Sequence, residues 1–170
     1  MWSLRDFYYS GVIHKCLSPN NILVTHNTTV KITDYCSPCH AKECDDDDDD
    51  ANETNPAYWS APEVLTLDVY TCGSDVWSYG CVLWSLFSIG KRPYPGLNTS
   101  DVSSFLQRGQ RMEPPENCPV GVINIMGKCW NQTPELRPSF DVLSEMLSQV
   151  NKSVNNNTQD ASEAASADDI

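Results

Sequence analysis

Five residues in the first part of the chain carry groups able to do chemistry: His14, Lys15, Cys16, Asn21 and, thirteen residues past Asn21, Asp34. An amide and a carboxylate are hard oxygen donors suited to a cation. They stand far apart in sequence, but two short β-prone runs, Ile22-Leu23-Val24-Thr25 and Val30-Lys31-Ile32-Thr33, flank the turn-forming His26-Asn27-Thr28. That pattern predicts a hairpin bringing Asn21 and Asp34 to one edge. Cys16 is a different kind of group: its thiol is neutral at pH 7 unless something lowers its pKa, and it presents no oxygen. Cys36, Cys39, His40 and Cys44 form a second cluster, but no further ligand pair follows at finger-like spacing, so no zinc site is assigned. The eight cysteines are scattered and several fall in apolar runs, the usage of buried free thiols rather than a disulfide framework.

The elements that must hold these residues follow from periodicity. Trp2, Leu4 and Phe7-Tyr8-Tyr9 predict a short helix over 2–9, ended by Gly11. Residues 37–58 lose all pattern and include six consecutive aspartates, Asp45–Asp50, whose mutual repulsion predicts a mobile, solvated loop. Ser74 to Ile89 is apolar on nearly every face, which predicts a buried central helix. A turn-rich Lys91-Arg92-Pro93-Tyr94-Pro95-Gly96 link leads to a helix capped by Ser100 and ended at Gly109. Ile123, Met126, Cys129 and Trp130 form one further apolar stripe, and Phe140, Leu143, Met146-Leu147 and Val150 another. Residues 151–170 have almost nothing to bury and are expected to be disordered.

At 170 residues and 40% hydrophobic content, one domain with a proper core over 1–150 is expected. The net charge of −12 is concentrated: residues 42–53 contribute −7 and residues 151–170 contribute −3. The nearly neutral remainder lacks the basic surface that tracks nucleic acid, so no nucleic-acid partner is expected. Met1-Trp2-Ser3-Leu4-Arg5-Asp6 has no apolar leader pattern, and Val76–Ile89 falls short of the ~20 residues a bilayer requires. A cytoplasmic protein without a membrane segment is the expectation.

Several segments, in order, resemble the eukaryotic protein kinases. His14-Lys15-Cys16 with Asn21 is similar to the His-Arg-Asp…Asn catalytic loop, and Asp34-Tyr35-Cys36 to the Asp-Phe-Gly metal-binding motif. Trp59-x-Ala61-Pro62-Glu63 resembles the end of an activation segment, here 34–63. Ser74–Gly80 resembles the central helix, and Pro134–Pro138 the turn before the final helix. Trp59, Pro93-Tyr94-Pro95-Gly96, Cys129-Trp130 and Arg137-Pro138 lean toward the tyrosine-kinase branch. The resemblance implies a mainly α fold with a short β-hairpin, the C-terminal lobe of a kinase-like α+β domain with the N-lobe missing. It implies a Glu63–Arg137 ion pair, an Asp75 bond to the backbone near His14, and a structural rather than acid–base His14. Asn21 and Asp34 match the family's Mg²⁺ ligands.

The departures lie in the chemistry. Cys16 occupies the catalytic Asp position, Lys15 the adjacent Arg position, and Tyr35-Cys36 replaces Phe-Gly, so no catalytic residue is intact. The Gly-rich loop, the ATP-anchoring Lys and its Glu would precede residue 14. A natural truncation and an incomplete gene model both fit that reading. The expected function is therefore a pseudokinase C-lobe that binds a protein partner, possibly another kinase domain, with no cofactor required. The alternative is a fragment of an ATP-dependent protein tyrosine kinase, for which Mg²⁺ and ATP return only if the N-lobe is supplied.

Overall fold

The computed structural model describes residues 12–34 and 54–167, with side chains through 155. The predicted helix over 2–9, the acidic loop and the Cys36-Cys39-His40-Cys44 cluster lie outside those residues. The described part is mostly helical, with one antiparallel hairpin, β1 (Ile22–Val24) and β2 (Val30–Ile32). Its register pairs Ile22 with Ile32, Leu23 with Lys31 and Val24 with Val30. Ile22 and Ile32, paired at the open end, pack against the core; Leu23 points to the opposite face, and Val24 and Val30, on the core-facing side but nearer the turn, are exposed. The turn closes on a bond from Thr28 N–H to the Thr25 carbonyl, with Thr28 at φ +59°.

Five helices follow: α1 (Pro62–Leu67), α2 (Cys72–Phe87), α3 (Thr99–Gln107), α4 (Val120–Cys129) and α5 (Phe140–Ala167). The predicted central helix is α2, started two residues earlier than Ser74 by a reciprocal cap in which Thr71 and Ser74 each bond the other's backbone N–H. It is buried almost continuously from Ser74 to Ser85, and α4 packs along it. The two backbones approach closely at Gly80, where an added Cβ would lie 2.7 Å from Trp130 Nε1 and 2.8 Å from Cys129 Cβ. Trp77, Cys81, Val82, Ile125, Met126 and Leu143 fill the space between these helices and α5.

The start of α3 also differs from expectation. The cap of α3 is Asn98, whose side chain accepts from Asp101 N–H, and Ser100 instead bonds the Asn98 side chain from within the first turn. Helix α5 continues to Ala167, and residues 151–155 are exposed. Elongation supplies the reason: adding residues to an anchored helix avoids the nucleation cost, and Ala, Glu and Gln are good helix formers.

Candidate functional site

The loop from His14 to Asn21 is fixed from below by α2. The carboxylate of Asp75, in the first turn of that helix, accepts the N–H of His14 at 2.7 Å through Oδ2 and the N–H of Lys15 at 2.9 Å through Oδ1. Lys15 is held at φ +73°, a left-handed conformation costly for a residue with a Cβ, and the bond to Asp75 helps impose it. Burial pushes the Asp75 carboxyl up to about 6, against the opposing pull of the two N–H bonds and the Lys15 charge.

His14 is wholly buried. Its Nε2 lies 3.0 Å from the Thr33 carbonyl, and its Nδ1 lies 3.3 Å from the Cys16 N–H. A carbonyl only accepts and an N–H only donates, so these partners select the neutral ring with its proton on Nε2. Burial also lowers the ring's pKa from its ordinary value. The imidazole thus ties the loop to the chain just past β2.

Asn21 precedes β1 and Asp34 follows β2, so both lie at the open end of the hairpin. The Thr33 N–H donates to the Asn21 carbonyl at 3.0 Å, and the Thr33 hydroxyl donates to Asp34 Oδ2 at 3.1 Å. The Asn21 side chain donates through Nδ2 to the Cys16 carbonyl at 2.7 Å, leaving its Oδ1 available as an oxygen donor. Asp34 is exposed, at φ +58°. One oriented amide oxygen and one exposed carboxylate fit Mg²⁺, which commonly takes one or two protein oxygens and completes its shell with water and phosphate. Among the described residues no group of three or more His, Cys, Asp or Glu is arranged to hold a metal by itself.

Cys72, Cys81, Cys118 and Cys129 are free, as the scattered cysteines lead one to expect, and burial pushes the Cys81 and Cys129 thiols up to about 12.

Helix α1 is fastened at Arg137. Its Nη1 bonds Glu63 Oε1 at 2.5 Å and its Nη2 bonds Oε2 at 2.9 Å, a two-pronged pair. The same guanidinium donates to the carbonyls of Gly73 and Asn131, each at 2.9 Å, and lies over the Trp77 ring. One side chain therefore joins α1, α2 and the turn before α5. The Arg137 side chain is fully buried, whereas that of Glu63 keeps 13% exposure, so the pair is buried mainly from its cationic side.

Comparison with known proteins agrees with this geometry. The chain is 37% identical over 144 residues to the megakaryocyte-associated tyrosine-protein kinase of Mus musculus, covering 84% of this chain and 27% of that protein. It is 38% identical over 142 residues to tyrosine-protein kinase Fer of Rattus norvegicus, covering 84% and 17% respectively. The chain thus spans from 17% to 27% of the length of these relatives. The sequence profile of the family described as protein tyrosine and serine/threonine kinase matches residues 7–147. A match over that much of the chain, on a loop, hairpin and helical scaffold of this form, shows that the chain belongs to the protein tyrosine and serine/threonine kinase family.

Proposed function

We propose that this chain is a tyrosine-kinase-like C-lobe acting as a protein-binding, regulatory module in phosphorylation signalling, without phosphoryl transfer of its own. One observation carries the reading: Cys16 stands where the family places its catalytic carboxylate. A thiol is neutral at pH 7 unless its pKa is lowered and presents no oxygen to accept a proton from a substrate hydroxyl. Loss of a positioned general base typically costs about 10²–10⁴-fold in rate. The residues retained around it, Asp75, His14, Glu63 and Arg137, serve the scaffold.

Asn21 and Asp34 favour the second reading, a fragment of an ATP-dependent protein tyrosine kinase. They would hold Mg²⁺ at the hairpin edge. When bound with nucleotide, that ion would supply charge neutralisation on the phosphates. Asn21 would orient its amide oxygen through its bond to the Cys16 carbonyl, and Asp34 would present its exposed carboxylate.

Incubation of the chain with Mg-ATP and a tyrosine-containing peptide, with and without reductant, separates the two. The module reading expects no phosphate incorporation in either condition. Turnover that appears on reduction would favour the enzyme reading.

A further inference from the structure

Asp75 is 4% exposed, and each of its carboxylate oxygens accepts one backbone N–H of the loop, His14 on Oδ2 at 2.7 Å and Lys15 on Oδ1 at 2.9 Å. The two ends of this grip differ. His14 is also held by its ring, which bonds the Thr33 carbonyl and the Cys16 N–H. Lys15 sits at φ +73°, a left-handed backbone that a side chain makes costly, and the bond to Oδ1 opposes its relaxation. We propose that Asp75 is an acid-operated latch on this loop: a proton taken from solvent onto Oδ1 frees the Lys15 N–H and lets the backbone there leave the left-handed region.

An ionised carboxylate accepts on both oxygens, whereas a protonated one carries an O–H that donates. With the proton on Oδ1, that O–H and the Lys15 N–H are two donors facing each other, and one must turn away. Oδ1 is the oxygen to give up its bond because its contact is the longer of the two. Burial favours the neutral acid, since a charge out of water is costly unless a cation pairs with it, and among the described residues no cationic side chain forms an ion pair with this carboxylate. The carboxyl is accordingly pushed up to about 6, against the two N–H bonds and the Lys15 charge.

The groups around it leave the assignment to Asp75. The Tyr70 hydroxyl and the Cys72 thiol, both raised in pKa mainly by burial, stay neutral near pH 6. Arg137 reaches the same end of α2 at the Gly73 carbonyl but pairs with Glu63. The His14 ring, its pKa lowered by burial, is read separately through the Cys16 N–H that it accepts. Because the folded carboxyl holds its proton more tightly than the unfolded one, acidification exchanges one loop bond for the loss of a buried charge and does not weaken the fold through Asp75. Lys15 is exposed, with its ammonium 5.5 Å over the Tyr70 ring, so the latch sets how the loop presents that cation. The device acts on the backbone and is independent of whether the chain is a binding module or a kinase fragment.

The test is ¹H–¹⁵N NMR of the full chain from about pH 8 to 5, with hydrogen exchange measured at each amide as protection relative to the free peptide rate. The Lys15 amide is expected to titrate with a midpoint near 6 and to lose protection about tenfold on the acid side, the scale of one hydrogen bond to a charged acceptor, while the Leu83 amide within α2 keeps its protection. Asp75→Asn, neutral at every pH, should show the unlatched Lys15 amide already at neutral pH and no response to acid. If that variant does not fold, the parent decides, because the ¹³C signal of the Asp75 carboxyl and the Lys15 amide must share one midpoint. Lys15 protection unchanged across the range would overturn the latch. So would a Lys15 change that follows the Cys16 amide or persists in Asp75→Asn, which would assign it to His14, and so would a parallel loss at Leu83, which would mean global unfolding.

Discussion

Arg137 bonds four oxygens on three segments, and no other cationic side chain among the described residues joins so many elements. Arg137→Ala leaves Glu63 without its partner and two carbonyls without donors. Removing one partner of a buried pair typically costs about 3–5 kcal/mol, a large share of a stability near 5–15. The variant should be unfolded or strongly destabilised in urea melts. A midpoint unchanged from the parent would show that the bidentate pair carries no weight. The Asp75 and His14 shifts make a second prediction, with opposite signs. Asp75, raised to about 6 in the fold, keeps a proton the unfolded chain has already lost, so its contribution to stability is present below about 3.8 and is lost as pH rises toward 6. That loss amounts to about 3 kcal/mol. His14 stays neutral where the unfolded chain protonates, so its contribution is present above about 6.5 and falls as the solution is acidified. A ¹³C titration should place the Asp75 carboxyl near pH 6; a midpoint at 4 or below would mean the two N–H bonds outweigh burial.

Helix α2 was legible because a run apolar on every face has one physical home, the centre of a core. The hairpin was legible from its alternating β-prone runs. What sequence did not reveal depends on three-dimensional neighbours: the closeness of α2 to α4 at Gly80 and the left-handed backbone of Lys15. The close approach at Gly80 gives a paired prediction. Gly80→Ala forces a Cβ against Trp130 and Cys129, and overpacking of this kind costs about 1–3 kcal/mol. Gly127→Ala, in the same helix pair, meets no atom within 4 Å and should gain up to about 1 kcal/mol from helix propensity. Thermal melts should move in opposite directions; a stabilised Gly80→Ala would mean that α2 and α4 are not packed this closely.

The molecule keeps the supports of a kinase lobe and changes the residue at the reacting position. That division was visible in the sequence through its resemblance, since scaffold residues and chemistry-bearing residues fall in different motifs. Among the described residues no helix is long and apolar enough to cross a membrane. The chain also contains no Gly-x-Gly-x-x-Gly run to cradle ATP phosphates, so restoring one carboxylate does not by itself supply a nucleotide site. The most direct measurement is therefore the incorporation of radiolabelled phosphate from Mg-ATP into a tyrosine peptide by the parent chain and by Cys16→Asp, side by side under reducing conditions. The account predicts no incorporation above background for either protein, while incorporation by the Cys16→Asp variant would contradict it.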